Sequence, residues 1–113
     1  MTLHGIPNCD TVKKARAWLE CHGVDYRFRD FKKDPPTAAE LARWADALGW
    51  EVLLNRRGTT FRALSEAEKA DIDKAKALKL MAAHPSLIKR PVMDNGRKVT
   101  VGFSDPDFAE NWA

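Results

Sequence analysis

Cysteine is scarce in this sequence: 113 residues contain two, Cys9 and Cys21. Two cysteines without a paired spacing pattern exclude the disulfide framework of a small secreted protein, and together with three scattered histidines they provide no zinc-ligand pattern. Long hydrophobic runs are also missing, since no apolar stretch approaches the roughly 20 residues that span a bilayer. The N-terminus lacks the pattern of a signal peptide. We therefore expect a cytoplasmic protein with reduced thiols, no metal and no membrane association.

Charge of one sign is not in large excess either. The chain has 19 Lys and Arg against 16 Asp and Glu, a net charge of +3, and no long basic block. This bias is compatible with small anionic ligands and is a poor basis for nucleic-acid binding, so no nucleic-acid partner is predicted. A chain of this length with 44% hydrophobic residues suits one compact domain, and we predict a single domain over residues 1 to 113.

The first third of the chain has the pattern of a strand, a helix and a second strand. Residues 2 to 6 form a short apolar run, and Pro7 and Asn8 then supply a turn. Residues 10 to 22 place their apolar side chains on one helical face, and residues 24 to 31 alternate with a period of two. This order predicts a βαβ unit whose strands are parallel.

The middle of the chain has the pattern of helices. Thr37 and Ser65 each begin a capping box, with glutamate three residues later, and so predict the start of a helix. The first helix is expected to end at Gly49 and the second before Pro85. Residues 55 to 60 are predicted to form a loop between them.

The last third predicts an antiparallel pair and a short terminal helix. Residues 87 to 93 and 98 to 103 are joined by Asp-Asn-Gly, a strong signal for a β-hairpin, and a helix can begin at residue 105 or 106. The predicted fold class is therefore α/β. It is a thioredoxin-like fold with a mixed parallel and antiparallel sheet, a helical insertion at roughly residues 35 to 84 and a C-terminal helix.

Cys9 is the strongest candidate for a functional side chain. The pattern places it at the start of the first helix, where unpaired backbone N–H groups and the positive end of the helix dipole favour a thiolate. We therefore expect its pKa to be lowered. Lys13, one turn further along, adds to this effect, and Asp10 opposes it. The alternative is that Cys9 is a small buried hydrophobic residue at a strand end.

Cys21 has a different predicted role. If one helix carries both cysteines, their spacing of twelve residues separates them by roughly 18 Å, whereas a disulfide needs Cα atoms within about 7 Å. Val12 stands where a C-x-x-C motif would have its second cysteine. A mixed disulfide at Cys9 is then resolved by an external thiol such as glutathione, or by another protein. We interpret Cys21 as a residue that packs the helix.

Arg90 and Pro91 form a second candidate site. A guanidinium next to a thiolate stabilises it and holds an oxyanion or carboxylate with two hydrogen bonds, and the bond before Pro91 is a candidate for the cis form. The alternative is an edge-strand proline with basic surface neighbours. Arg56 and Arg57 are a similar pair in the predicted loop, where charged side chains are more often only solvated.

Four segments together resemble the ArsC/Spx family, most closely its YffB branch. They are GIPNCDT at residues 5 to 11, LLNRRGTT at 53 to 60, PSLIKRP at 85 to 91 and VGF at 101 to 103. The likeness covers nearly the whole chain. It implies a thioredoxin-like sheet with an inserted helical region, a single catalytic Cys9, an anion-binding Arg90, a cis peptide before Pro91, and glutathione or glutaredoxin as reductant. Asn8 and Thr11, beside Cys9, join the candidates for binding substrate or glutathione.

The arsenate-reducing members differ from this sequence at several positions. They usually carry His and Asn where Gly5 and Ile6 stand, and Ser where Val12 stands. They also use three arginines around the oxyanion, of which Arg90 alone matches cleanly. The other two positions fall near Asn55, with Arg56 beside it, and near Val101. We therefore expect arsenate reduction to be inefficient.

The leading hypothesis is a glutathione-dependent thiol oxidoreductase that acts on a small anionic or disulfide substrate. Cys9 is its nucleophile, and Arg90, helped by Arg56 or Arg57, holds a carboxylate of the substrate or of glutathione. A glutathione- or glutaredoxin-dependent arsenate reductase is the alternative within the enzyme class. A non-enzymatic alternative is an Spx-like regulator that binds RNA polymerase, although Val12 removes the C-x-x-C switch of many such relatives. A structural module with an inert thiol is the third possibility.

Overall fold

The computed structural model describes all 113 residues and contains two compact units. The first combines Met1–Asp34 with Arg90–Ala113, and we call it the sheet unit. The second is Pro35–Lys89, which we call the helical unit, and the predicted insertion at residues 35 to 84 falls within it. That residues 1 to 113 form a single domain stays a prediction.

Helices and strands follow one another along the chain in the order expected for a mixed α/β protein. They are β1 (Thr2–Gly5), α1 (Asp10–Cys21), β2 (Arg27–Asp30), α2 (Ala38–Leu48), α3 (Trp50–Leu53), α4 (Thr59–Arg62), α5 (Glu66–Lys69), α6 (Lys74–Ala83), a 3-10 helix (Pro85–Leu87), β3 (Val92–Asp94), β4 (Val99–Val101) and α7 (Asp105–Trp112). Each of these helices is too short or too polar to span a bilayer.

The four strands form one mixed sheet in the order β2-β1-β3-β4. β1 is parallel to β2, with Leu3 opposite Phe28, and antiparallel to β3, with Leu3 opposite Met93. β3 and β4 form the antiparallel hairpin. A helix connects the parallel strands β1 and β2, and a short turn connects the antiparallel strands β3 and β4. The predicted mixed sheet and thioredoxin-like α/β fold are confirmed.

The core of the sheet unit attaches α1 to β1. Along α1 the buried residues include Val12, Ala15 and Leu19, whose spacing puts them on one helical face, and they cluster with Leu3 of β1. Trp18 meets the ring of Phe108 on α7 edge-on, with ring centroids 5.4 Å apart. Cys9 packs against the margin of this cluster. The packing that stabilises the fold therefore also fixes the N-terminus of α1.

The helical unit is built mainly on α2 and α6. Thr37 caps α2 through the predicted box: its hydroxyl accepts from the N–H of Glu40 at 3.1 Å, and the Glu40 carboxylate accepts from the N–H of Thr37 at 2.9 Å. α2 buries Leu41, Trp44 and Ala45, and α6 buries Ala77, Leu80 and Met81. Apolar faces of these two helices form part of the core of this unit, together with Leu53, Leu54, Leu87 and Ile88.

One predicted helix is wrong in its extent. The Ser65 box caps only α5, which is four residues long, and the chain then breaks at Asp71, whose φ is 50°. Asp73 starts α6 separately, because its carboxylate accepts from the N–H of Lys76 at 2.9 Å. Aspartate favours caps and turns over helix interiors, so two aspartates here divide one expected helix into two.

Several other helix and strand boundaries also differ from the predicted ones. Residues 85 to 87 form a 3-10 helix, so the strand predicted from residue 87 begins only at Val92, after a proline that has no N–H for a ladder hydrogen bond. β2 is shorter than the predicted residues 24 to 31, and α4 begins inside the predicted loop. α3 was not predicted. The terminal helix begins at Asp105, as predicted, with Ser104 accepting from the N–H of Asp107 at 3.2 Å.

Candidate active site

Cys9 occupies the N-cap of α1. Its backbone is extended, with φ −134° and ψ 124°, and its carbonyl accepts the first helical hydrogen bond from the N–H of Lys13 at 2.9 Å. The side chain is half-buried. A half-buried thiol at a helix N-terminus is open to a substrate and faces the positive end of the helix dipole.

The pKa of the Cys9 thiol is lowered by its surroundings. Partial burial acts the other way and raises the pKa, but the N–H of Val12, the hydrogen bond and charge of Arg90, and the N–H of Thr11 together outweigh it. The largest effect of a charge comes from Arg90.

Arg90 belongs to the C-terminal segment of the sheet unit, whereas Cys9 belongs to its N-terminal segment. The peptide bond between Arg90 and Pro91 is cis, as predicted. Pro91 is buried, and its carbonyl accepts from the N–H of Gly102 at 2.9 Å. β3 begins at the next residue, beside β1. Pairing of these strands therefore brings the half-buried Arg90 to the thiol.

The remaining candidates have different environments. Asn8 is exposed in the turn before Cys9, and Thr11 is half-buried in the first turn of α1. Arg56 and Arg57 lie in the helical unit and are exposed. The guanidinium of Arg56 lies over the ring of Trp50, 5.5 Å from its centroid. That Asn8, Thr11, Arg56 and Arg57 bind a ligand stays a prediction.

Cys21 is not the packing residue that the sequence suggested. It is exposed at the last position of α1. The buried face of this helix carries Val12, Ala15 and Leu19, and a residue two positions after Leu19 points about 200° away from it at the helical period of 3.6. Cysteine is often buried as a residue type, but the helical phase of position 21 places it on the solvent side of α1.

The comparisons with known proteins agree with this fold. Residues 4–111 match the ArsC family. This chain belongs to the ArsC family. Among solved structures, the YffB (PA3664) protein is 51% identical, superposes with a TM-score of 0.96, and is matched over 99% of this chain and 98% of that chain. The predicted membership is thus confirmed.

Two further relatives of this ArsC-family protein have different descriptions. An arsenate reductase (ArsC) related protein from Brucella melitensis is 49% identical with a TM-score of 0.78, over 97% of this chain and 92% of that chain. The global transcriptional regulator Spx 2 of Lactococcus lactis is 25% identical over 110 residues, which are 96% of this chain and 83% of that protein. The relatives of this chain therefore include both a reductase-related and a regulatory protein.

Sequence reasoning about this ArsC-family protein missed two backbone groups. The N–H groups of Thr11 and Val12 lower the pKa of Cys9, whereas the sequence pattern indicates only the helix N-terminus as a whole. The signal was available, because the N–H groups of the second and third helical residues are the ones that face an N-cap side chain. No group of His, Cys, Asp and Glu side chains is arranged to hold a metal ion.

Proposed function

We propose that this protein is a glutathione-dependent thiol oxidoreductase with a single nucleophilic cysteine, Cys9. The observation that carries the proposal is the pairing of a half-buried thiol at a helix N-terminus with the guanidinium of Arg90. Both features favour the thiolate, which is the reactive form of cysteine. A cytoplasmic location, where glutathione is abundant, belongs to the same proposal.

The chemistry is two thiol–disulfide exchanges at one sulfur. The Cys9 thiolate attacks a disulfide RSSR′, forms a mixed disulfide with R and releases R′S⁻, which takes up a proton. A glutathione thiolate then attacks the mixed disulfide, releases Cys9 as a thiolate and leaves with R as a second mixed disulfide. Another glutathione reduces that product to RSH. One substrate disulfide is reduced, and two glutathione molecules are oxidised to one glutathione disulfide.

An external thiol is needed because the second cysteine is at the far end of α1. Cys9 precedes the first helical residue and Cys21 is the last, which corresponds to about 18 Å along the axis. Cα atoms in a disulfide lie within about 7 Å of each other. With Val12 three residues after Cys9, no resolving cysteine follows in the same turn.

Arg90 is proposed to bind the anionic part of the reactants. Its guanidinium is held beside the sulfur, where a carboxylate of glutathione or of the substrate accepts two parallel hydrogen bonds. We also propose that Pro91 supports this position, and that Asn8 and Thr11, close to Cys9 in the sequence, bind the same reactants. We also propose Arg56 and Arg57 as carboxylate ligands on the basis of their charge and exposure.

Two alternatives follow from specific relatives. The 49% identical Brucella protein is described as arsenate reductase related, and a thiolate beside a guanidinium also suits an oxyanion, with glutathione or glutaredoxin supplying the two electrons. The regulator Spx 2 aligns along nearly the whole chain, which keeps an RNA polymerase-binding role as the non-enzymatic alternative. Turnover with disulfide or arsenate, and co-purification with the polymerase, separate these candidates.

The pH dependence of alkylation tests the proposal directly. Iodoacetamide labelling is measured by peptide mass spectrometry between about pH 5 and 10, with Cys21 of the same chain as the reference thiol. We expect a midpoint for Cys9 clearly below about 8.5, the value of free cysteine. A midpoint at or above that value, or no labelling of Cys9, contradicts the enzymatic proposal and favours the regulatory alternative.

A further inference from the structure

Gly5, the last residue of β1, lies in unusually close contact with α1. A Cβ atom at this position would be 2.8 Å from Cγ2 of Val12 and 3.4 Å from its Cγ1. Carbon atoms in contact prefer about 3.5 to 4.0 Å, so even alanine does not fit without movement. The absence of a side chain at Gly5 therefore allows the first turn of α1 to lie directly on the end of β1.

The strand is not free to relieve this contact. β1 is an inner strand of the sheet, paired with β2 on one side and β3 on the other. Gly5 itself is paired with Asp30, and its carbonyl accepts from the N–H of Phe31 at 2.8 Å. A displacement of Gly5 would break ladder hydrogen bonds, which makes α1 the element that must move.

Val12 is not free to rotate either. It is completely buried and packs with Leu3, Ala15 and Leu19 in the core of the sheet unit. A β-branched side chain in a helix has one strongly preferred rotamer, so its methyl groups cannot swing away from Gly5. An added methyl group at Gly5 therefore has to lift the first turn of α1 as a whole.

The first turn of α1 is also the part of the fold that faces the Cys9 sulfur. Val12 presents its N–H to that sulfur while its side chain touches Gly5, so one residue belongs to both contacts. We propose that Gly5 is a positioning residue: its missing side chain seats the first turn of α1 on β1 and so sets the distance from the Val12 N–H to the Cys9 sulfur. This inference rests on the proposed use of Cys9 as the nucleophile.

A double-mutant cycle tests the proposal, with the alkylation midpoint of Cys9 as readout and Cys21 as the reference thiol. We expect Gly5→Ala to raise the midpoint by about 0.5 to 1 pH unit, a roughly three- to tenfold loss of thiolate below the midpoint. In the V12A background both Cγ atoms are absent, and the nearest atom left is the Cβ of residue 12 at 3.7 Å, an ordinary van der Waals contact. The shift there should be less than about 0.3 unit.

Gly23→Ala is the matched control, since Gly23 follows the other end of α1. Its φ of 67° strains any side chain, and nothing lies within 4 Å of the added Cβ. This variant should lose thermal stability without moving the Cys9 midpoint. The Gly23→Ala control shows whether a loss of stability alone moves the Cys9 midpoint. If Gly5 had a merely structural role, Gly5→Ala would also lower stability without moving that midpoint.

Each outcome decides the proposal. A folded G5A variant with the wild-type midpoint, or an equal shift in the V12A background, overturns it. If G5A does not fold, the proposal requires that G5A/V12A folds with the midpoint of V12A, and failure of the double variant overturns it. A wild-type midpoint at the free-cysteine value contradicts the proposed function alone, because the inference about Gly5 is judged by differences between variants.

Discussion

The two ends of α1 carry the two cysteines of this protein in contrasting surroundings. At the N-terminus Cys9 is half-buried, faces backbone N–H groups and lies beside Arg90, and the pKa of its thiol is lowered. At the C-terminus Cys21 is exposed, where a helix presents carbonyl groups and the negative end of its dipole. The two thiols therefore lie in different surroundings, and the difference is set by where the helix begins and ends.

Replacing the two cysteines should produce the largest contrast. We expect Cys9→Ser to reduce glutathione-linked disulfide turnover by at least about 1,000-fold, because removal of a covalent nucleophile leaves only binding effects. Cys21→Ser should leave turnover within about twofold. Steady-state assays of both variants under identical glutathione concentrations measure the difference. Equal loss in the two variants would contradict a one-cysteine mechanism and require a role for Cys21.

Removing the guanidinium should produce the next largest effect. Arg90→Ala is expected to lower kcat/KM about tenfold. This corresponds to the lower end of the free-energy range for a hydrogen bond to a charged group, because the site is partly open to solvent. It should also raise the alkylation midpoint of Cys9, since the charge that favours the thiolate is gone. Arg97→Ala, at an exposed arginine in the β3–β4 turn, is the charge-matched control. Indistinguishable kinetics for the two variants would remove Arg90 from the site.

The smallest expected effect is on stability. A thiol whose pKa is lower in the folded than in the unfolded chain makes the folded state bind fewer protons, so stability rises with pH between those two pKa values. The difference in the free energy of unfolding between wild type and C9S should thus increase with pH and level off above about 8.5. The extra stability of wild type should be lost as the pH falls through the pKa of Cys9 in the folded chain. Urea unfolding at a series of pH values measures it. A difference that decreases with rising pH would contradict a stabilised thiolate.

Much of the fold was predictable because its signals are local. Apolar periodicity located β1 and α1, the Thr37 box located the start of α2, and Asp-Asn-Gly located the hairpin turn. Each of these depends on contacts within a few residues, which the order of amino acids encodes directly. The helix that was predicted wrongly lies where two local signals compete. Ser65 and Asp73 both cap helices within nine residues, and the sequence does not say which start is continued.

The candidate site was only half predictable. Cys9 could be identified because a turn followed by a helix is visible in the sequence, whereas its partner Arg90 lies more than 80 residues away. Arg56 and Arg57 carry the same charge, and their place in a predicted loop ranks them below Arg90, but no local signal shows which arginine meets Cys9. Composition and spacing identify residue types capable of the chemistry, and long-range pairing decides which of them meet.

By itself the sequence determined that a cysteine would lie at the start of a helix, with no second cysteine in the same turn. Tertiary structure alone decided the rest. Pairing of β1 with β3 brings Arg90 to the sulfur, and burial of Val12 against Gly5 fixes the N–H groups that face it. The physical reason is range: capping and helix dipoles act within one turn, whereas the charge and close packing around Cys9 come from segments that meet only when the sheet forms.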